Sequence, residues 1–530
     1  MPILDSFRGP AALAGALAVT VLMHSPLAVG QTGLALGDAL REALRLNPNI
    51  SLQQQQVLVN RGAEFVAQGQ FDPLVSGSIK RSRDLRPLRE DEKSALALAP
   101  GVAPFNAQIS NAITYSVGVD RTLQSGVTLG ASVGVTTLFD NLSGASNIPA
   151  QTAGRISFSL RAPLLRNAGT EATTANLSAA EAELSAAQYD LVFSNAQTLL
   201  NTTLAYWAYL AQLRRLDIAR DAEARSMRLV GETRKLIDAD ALPAAESQLV
   251  LANNSDRLRS RIAAEQALAE ARRILALQIG LPPERLVDLP PPADDFPRYD
   301  GQPLGLDAPV GYLLDFALAR RADFAAEKQR ERAAQRRVDA ARSGLKPQLD
   351  FIVGVGYDTL VESRAPFSLG QVIGSNRVGP SISATLAAQL PWRNSAAEGV
   401  FLAQSAALGA SLIRVKNLSD VIGSNVYTDA QALVRSAQQL AQSVETSRYY
   451  RQSVENERTK RRLGLVTLID VINVEDRLTD ALAAEVQARQ AYANAIAQLR
   501  FDLGTIVLER DGQFDVVVED LFNPSFEIPR

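Results

Sequence analysis

The 530-residue chain contains no cysteine and one histidine, His24. The absence of cysteine excludes thiolate zinc sites, disulfides and thiol nucleophiles, and with His24 in a stretch expected to be cleaved, the mature chain also lacks the commonest general base. Carboxylate-only catalysis stays chemically open, but the composition argues against an enzyme, and no metal or cofactor site is expected. Without a cysteine there is no residue for N-terminal lipid attachment, so a lipoprotein is not expected. A charge imbalance is missing too: 54 Lys and Arg against 57 Asp and Glu leave a net charge of -3. A surface built to grip nucleic acid would carry a basic excess. After the N-terminal stretch, no uninterrupted apolar run reaches the ~18 residues of a membrane helix. A membrane-embedded part would then have to be a β-barrel.

Residues 1–30 have the form of a secretory leader. Arg8 supplies positive charge, Ala11 to Met23 is a short apolar run, Pro26 breaks it, and Ala28-Val29-Gly30 offers small residues for cleavage. The mature chain is expected to begin at Gln31.

The remainder is written twice. Leu36 to Asn49 (LGDALREALRLNPN) and Val310 to Asp323 (VGYLLDFALARRAD) each read as a short helix followed by a stop. Helical segments follow at Ile50 to Gln70 and at Phe324 to Arg342. Each gives way to a β-like region, which closes on Pro163-Leu164-Leu165-Arg166-Asn167 in one half and Pro391-Trp392-Arg393-Asn394 in the other. Long helical patterns come next and end near Gly280 and Gly504. The reading is therefore a first repeat over 31–280, a proline-rich connector over 281–309, a second repeat over 310–504 and a tail over 505–530, all expected from a duplicated unit.

The helices are unusually long. Thr170 to Ala239 has no proline, and Leu177, Ala180, Leu184, Ala187 and Leu191 recur at spacings of three and four. That is a coiled-coil seam of small residues, ~100 Å long at 1.5 Å per residue. Ala244 to Gly280, Ser395 to Arg462 and Thr467 to Leu503 continue the scheme. On the helices alone, a cytoplasmic coiled-coil rod is the lesser alternative.

The β segments do not suit a plain rod. Ile156, Phe158 and Leu160 alternate with Arg155, Ser157, Ser159 and Arg161, and Phe351, Val353, Val355 and Tyr357 alternate with Gly354, Gly356 and Asp358. Six such strands are expected, around 74–83, 112–121, 127–138, 154–162, 349–358 and 380–390, with Gln124-Ser125-Gly126 as a tight turn. Apolar-out, polar-in alternation over about ten residues suits a membrane barrel, and it also suits a half-buried soluble sheet. Single-chain barrels start at eight strands, so six call for an open sheet or for several chains pooling their strands.

Four phrases in this order, Ala39-Leu40 through Asn47-Pro48, Pro163-Leu164-Leu165, Ala205-Tyr206-Trp207 and Gly464-Leu465-Val466-Thr467-Leu468-Ile469-Asp470-Val471, resemble the TolC-like outer membrane efflux protein family along the whole mature chain. The resemblance implies a mainly α fold with a membrane β-barrel part. Long antiparallel coiled-coil helices would form a periplasmic tunnel, and each protomer of a homotrimer would give four strands to a shared twelve-stranded barrel. It also implies an exit duct that works with a periplasmic adaptor (membrane fusion) protein and an inner-membrane pump of RND, ABC or MFS type, set in outer-membrane lipid. This sequence departs from the pattern at 108–140, an extra hairpin that would either raise a trimer's barrel to eighteen strands or lie outside it.

The resemblance further implies an acidic constriction at the periplasmic end, where Asp470 takes the gate position and Glu246 the equivalent place in the first half. A second gate aspartate of the family is Asn473 here, and Arg461 and Val466 replace polar neighbours. Asp470 reads equally as a carboxylate at a helix N-terminus. The adaptor-docking tips would be Leu463, Gly464, Leu465, Val466 and Thr467 with Ala241, Leu242 and Pro243. The alternative function is a periplasmic coiled-coil scaffold or adaptor without its own channel.

Overall fold

A computed structural model describes residues 33–97, 106–141, 150–286, 289–301, 304, 310–362, 378–510, 513–523 and 526. The leader and His24 lie outside these.

The first repeat opens with α1 (Leu36–Leu46) and α2 (Pro48–Gln68). Asn47 separates them. Its side chain accepts from the Asn49 N–H, and Pro48 begins α2, where a missing N–H costs nothing. Strand β1 (Leu74–Pro87), a short α3 (Glu90–Ala97), and strands β2 (Ala107–Thr122), β3 (Thr128–Asp140) and β4 (Gln151–Pro163) follow. Then come α4 (Ala175–Asp238) and α5 (Glu246–Ile279). The second repeat has α6 (Val310–Arg320), α7 (Ala322–Gly344), β5 (Gln348–Glu362), β6 (Val378–Gln389), α8 (Ser395–Arg462) and α9 (Leu468–Asp502). A β7–β8 ribbon (Leu508–Arg510, Gln513–Asp515) and α10 (Val518–Phe522) complete the chain. At 64 and 68 residues, α4 and α8 are each about 100 Å long. The expected helix at 170–239 begins in earnest only at Ala175, because Thr174 leaves helical geometry after a single turn at 170–173.

The duplication is visible atom by atom. Gly280 and Gly504 both take positive φ (86° and 71°) to end α5 and α9. A Cβ at Gly280 would strike the Leu46 carbonyl at 2.5 Å, and one at Gly504 would meet the Arg320 backbone at 3.0 Å. Each glycine thus lets a short helix end lie directly on a long helix end. Two core pads repeat the arrangement. In the first, Leu36, Ala39 and Leu40 pack with Leu275 and Ile279 around Trp207; in the second, Leu313 and Ala317 pack with Leu499 and Leu503. Trp207 is completely buried, edge-on to Tyr206 at 5.3 Å and to Phe522 of α10 at 5.4 Å.

The connector and tail belong to these pads. Asp294 accepts hydrogen bonds from the Leu36 N–H (2.6 Å) and the Tyr206 hydroxyl (2.9 Å), and Phe296 stacks near Trp207. Val516 and Leu521 of the tail join the first pad and Phe526 the second.

The six strands form one antiparallel sheet in sequence order, β1-β2-β3-β4-β5-β6. The hairpin β2–β3 is therefore inserted between β1 and β4. Its turn closes through a 2.8 Å hydrogen bond from the Leu123 N–H to the Val127 carbonyl, with Gly126 at φ 88°. All connections to the long helices leave from the same end of the sheet as this turn.

Candidate functional site

The register sorts the sheet into two faces. On one lie Val75, Ile79, Val117, Val133, Phe158, Val355, Ile382 and their row neighbours, which are largely exposed in the single protomer. The opposite face is polar. Arg155 bonds Asp358 at 2.7 Å, Arg161 pairs with Asp350, and the hydroxyls of Ser78 and Ser116 meet at 2.8 Å, as those of Ser132 and Ser157 do at 2.7 Å. Both of these arginines find their aspartate on the neighbouring strand. Trp392, fully exposed just beyond β6, stands where an aromatic residue suits a membrane–water boundary.

The other end of the molecule carries two helical hairpin tips with a common backbone. In the first, Asp240 (φ 53°) ends α4, and the Ala241 N–H returns to the Leu236 carbonyl at 2.8 Å. In the second, Gly464 (φ 73°) ends α8, and the Leu465 N–H returns to the Lys460 carbonyl at 3.0 Å. Both close orphan carbonyls with a left-handed residue. Ala241, Pro243, Leu463, Gly464, Leu465 and Thr467 are exposed, while Leu242 and Val466 are half-buried.

Asp470 and Glu246 occupy matching places, each in the first turn of the helix after its tip. Leu229, Val250, Leu468 and Ile472 share a small buried cluster, which sets the start of α5 beside the start of α9. The two carboxylates are held differently. Asp470 forms a capping box with Thr467: its carboxylate accepts from the Thr467 N–H (2.9 Å) and hydroxyl (2.5 Å). These side-chain and backbone hydrogen bonds hold its pKa below the ordinary aspartate value. In the first tip the matching residue is Pro243, which has no N–H to offer, so Glu246 cannot be tied back in this way.

Other polar features were not legible beforehand because their parts come from distant segments. A cleft of about 680 Å3 near the tips brings Arg225, Arg228 and Lys235 of α4 to Arg458, Arg461 and Arg462 of α8. Arg458 bonds Glu475 at 2.7 Å there. Higher up, Arg321 bonds Asp323 (2.8 Å) and Asp502 (2.6 Å) in a buried cluster. Burial, and the Asp502 carboxylate beside it, push the Asp429 carboxyl up to about 7. Among the described residues no group of three or more His, Cys, Asp or Glu is placed to hold a metal ion.

The sequence profile of the outer membrane efflux protein family matches residues 313–505. No curated protein matches the sequence. Among solved structures, the chain is similar in fold to the CmeC outer membrane channel of Campylobacter jejuni (TM-score 0.65, 12% identity, covering 93% of this chain and 90% of that one). It is likewise similar to the outer-membrane channel OprN (0.64, 17%, 89% and 90%) and to the outer membrane protein VceC of Vibrio cholerae (0.63, 15%, 88% and 96%).

Proposed function

We propose that this chain, a member of the outer membrane efflux protein family, is the exit duct of a tripartite export system, carrying substrates from an inner-membrane pump across the periplasm and outer membrane. The observation that carries the reading is a two-faced sheet continuous with helices about 100 Å long. The apolar face meets lipid, the polar face lines water, and the helices span the periplasm. The family is one of channels, and the duct works by conduction and gating without a chemical step.

A single protomer cannot close a barrel. Strands β1 and β6 end the sheet order, and open edges do not persist in hydrocarbon. The helices carry matching unfinished surface. Leu52, Leu58, Phe65 and Val66 of α2 and Val400, Leu402 and Ile413 of α8 are exposed. Helix α8 also holds a stretch long and apolar enough to cross a membrane, almost none of it buried in the single protomer. Between 395 and 413 the apolar residues of α8 are interrupted by Glu398, Gln404 and several Ser and Gly, so no continuous apolar run marks this stretch. A homotrimer joins β1 of one copy to β6 of the next and buries these helix faces together. In it, Asp470 and Glu246 form the periplasmic gate, and the exposed tips at 241–243 and 463–467 receive a periplasmic adaptor protein. An RND, ABC or MFS pump completes the path.

Cell fractionation with bilayer recording tests the reading. A duct stays with the outer membrane after a salt wash, runs as a detergent-stable trimer and conducts in planar bilayers. A protein that washes off with salt and forms no channels is a scaffold, and the reading fails.

A further inference from the structure

The inserted hairpin bears on what the duct can carry. Strands β2 and β3 are as long as their neighbours, at 16 and 13 residues against 14 in β1 and 13 in β4. Their pairing is continuous, with partners from Leu74↔Asp120 to Pro87↔Ala107 and from Thr128↔Arg161 to Leu138↔Gln151. They keep the same division of faces. Val117, Val119, Leu129 and Val133 stand on the apolar side, while Ser116, Gly118, Gly130 and Ser132 stand on the polar side. A hairpin lying outside a barrel, in the aqueous phase or folded over the rim, has no need of a membrane-facing apolar row in register with β1 and β4.

The polar face is bare at mid-height. One row across all six strands reads Ser76, Gly118, Ser132, Ser157, Gly356, Ser381. Nothing larger than serine projects from it. The glycines are matched to serines on adjacent strands: a Cβ on Gly118 would meet the Ser132 Cβ at 3.5 Å, and one on Gly356 would collide with the Ser381 hydroxyl. The row next to it, toward the end of the sheet away from the helices, carries the Arg155–Asp358 pair, its charges satisfied across strands β4 and β5.

Resting on the trimeric exit-duct reading, we propose that three protomers close a single eighteen-stranded barrel with a wide, unobstructed, hydroxyl-lined lumen, and that its cargo is bulky and hydrophilic, beyond what a twelve-stranded barrel admits. Barrel diameter grows roughly in proportion to strand number. At ~4.8 Å between strands and ~40° of tilt, eighteen strands give a backbone diameter of about 36 Å, against about 24 Å for twelve. Barrels of this strand number keep an open aqueous channel rather than a core filled with side chains. The serine and glycine row leaves that opening unnarrowed and offers an uncharged polar wall.

The test uses the absence of native cysteine. Ser157→Cys on β4 places the only thiol of the protein at mid-lumen. Excision of 107–149 removes one ascending and one descending strand, so β1 and β4 remain antiparallel and can pair. Cells carrying Ser157→Cys, with and without the excision, are exposed from outside to neutral polyethylene glycol maleimides of graded mass. The full chain is expected to be labelled by polymers about twofold heavier, or more, than the largest reaching the excised form. Equal cut-offs, with both proteins trimeric in the outer membrane, overturn the wide barrel and leave the exit-duct reading standing. Loss of trimer or of outer-membrane residence in the full chain overturns that reading itself. If the excised form does not assemble, a strand count from cryo-electron microscopy of the full-length trimer decides: eighteen supports the proposal, twelve overturns it.

Discussion

Arg321 Nη1 donates to Asp502 Oδ1 at 2.6 Å where the second repeat joins its short helix to the end of a long one. In the first repeat the same junction is made by Asn47, whose Nδ2 donates to the Gln278 carbonyl at 2.7 Å. One copy uses a neutral hydrogen bond, the other a buried ion pair. The charged version draws Asp323 and Asp429 into a cluster with several acids and one guanidinium.

That imbalance predicts a pH effect at Asp429. Its folded pKa of about 7 lies above the unfolded value. A raised folded pKa means that the contribution to stability is full below the unfolded pKa and is lost as pH rises through the folded one. The window therefore runs from about pH 4 to pH 7. Asp429→Asn keeps the shape and removes the titration. It should be more stable than the parent at pH 8 by about 1–2 kcal/mol, after discounting for partial exposure. Denaturant melts from pH 4 to pH 8 check this; a parallel pair of curves counts against it.

Removing the guanidinium should be costly. Arg321→Met leaves Asp502 buried without its partner, a change worth about 3–5 kcal/mol. Replacing both, with Arg321→Met and Asp502→Leu, should recover part of the loss, because Asp502 is then no longer stranded while Asp323 still lacks its guanidinium. Thermal unfolding of the single and double variants measures the difference.

The gate prediction concerns Asp470 and Glu246 together. In planar bilayers, Asp470→Ala and Glu246→Gln should each weaken cation selectivity and cation block, with trimer assembly unchanged, because a ring of carboxylates favours cations. Thr467→Ala separates the roles. It removes the cap, speeding hydrogen exchange in the first turn of α9, and leaves the charge in place. Unchanged selectivity in both carboxylate variants would leave Asp470 as a capping residue alone.

Glycine substitutions should divide sharply. Gly280→Ala meets both a positive φ and the Leu46 carbonyl, so a loss above about 1 kcal/mol is expected, since alanine suits neither the backbone nor the space. Gly231→Ala, in the open flank of α4 with nothing within 4 Å, should stabilise by up to about 1 kcal/mol. Melting temperatures of the two variants give the comparison.

The amino-acid sequence by itself determined the strands of the large sheet, the long helices and the duplication, and left α3, α10 and the β7–β8 ribbon unread. Period-two alternation located all six strands, and the proline-free runs located the long helices. Gly280 and Gly504 marked where those helices end. These signals are local: each depends on residues a few positions apart, so backbone geometry and side-chain patterning reveal them without the fold. The tertiary structure alone decided where the extra hairpin goes, because insertion between β1 and β4 depends on pairing partners far apart in the chain. The Arg321, Asp429 and Asp502 cluster and the cationic cleft between α4 and α8 were hidden for the same reason. Their charges come from separate helices, and only packing brings them within reach of one another.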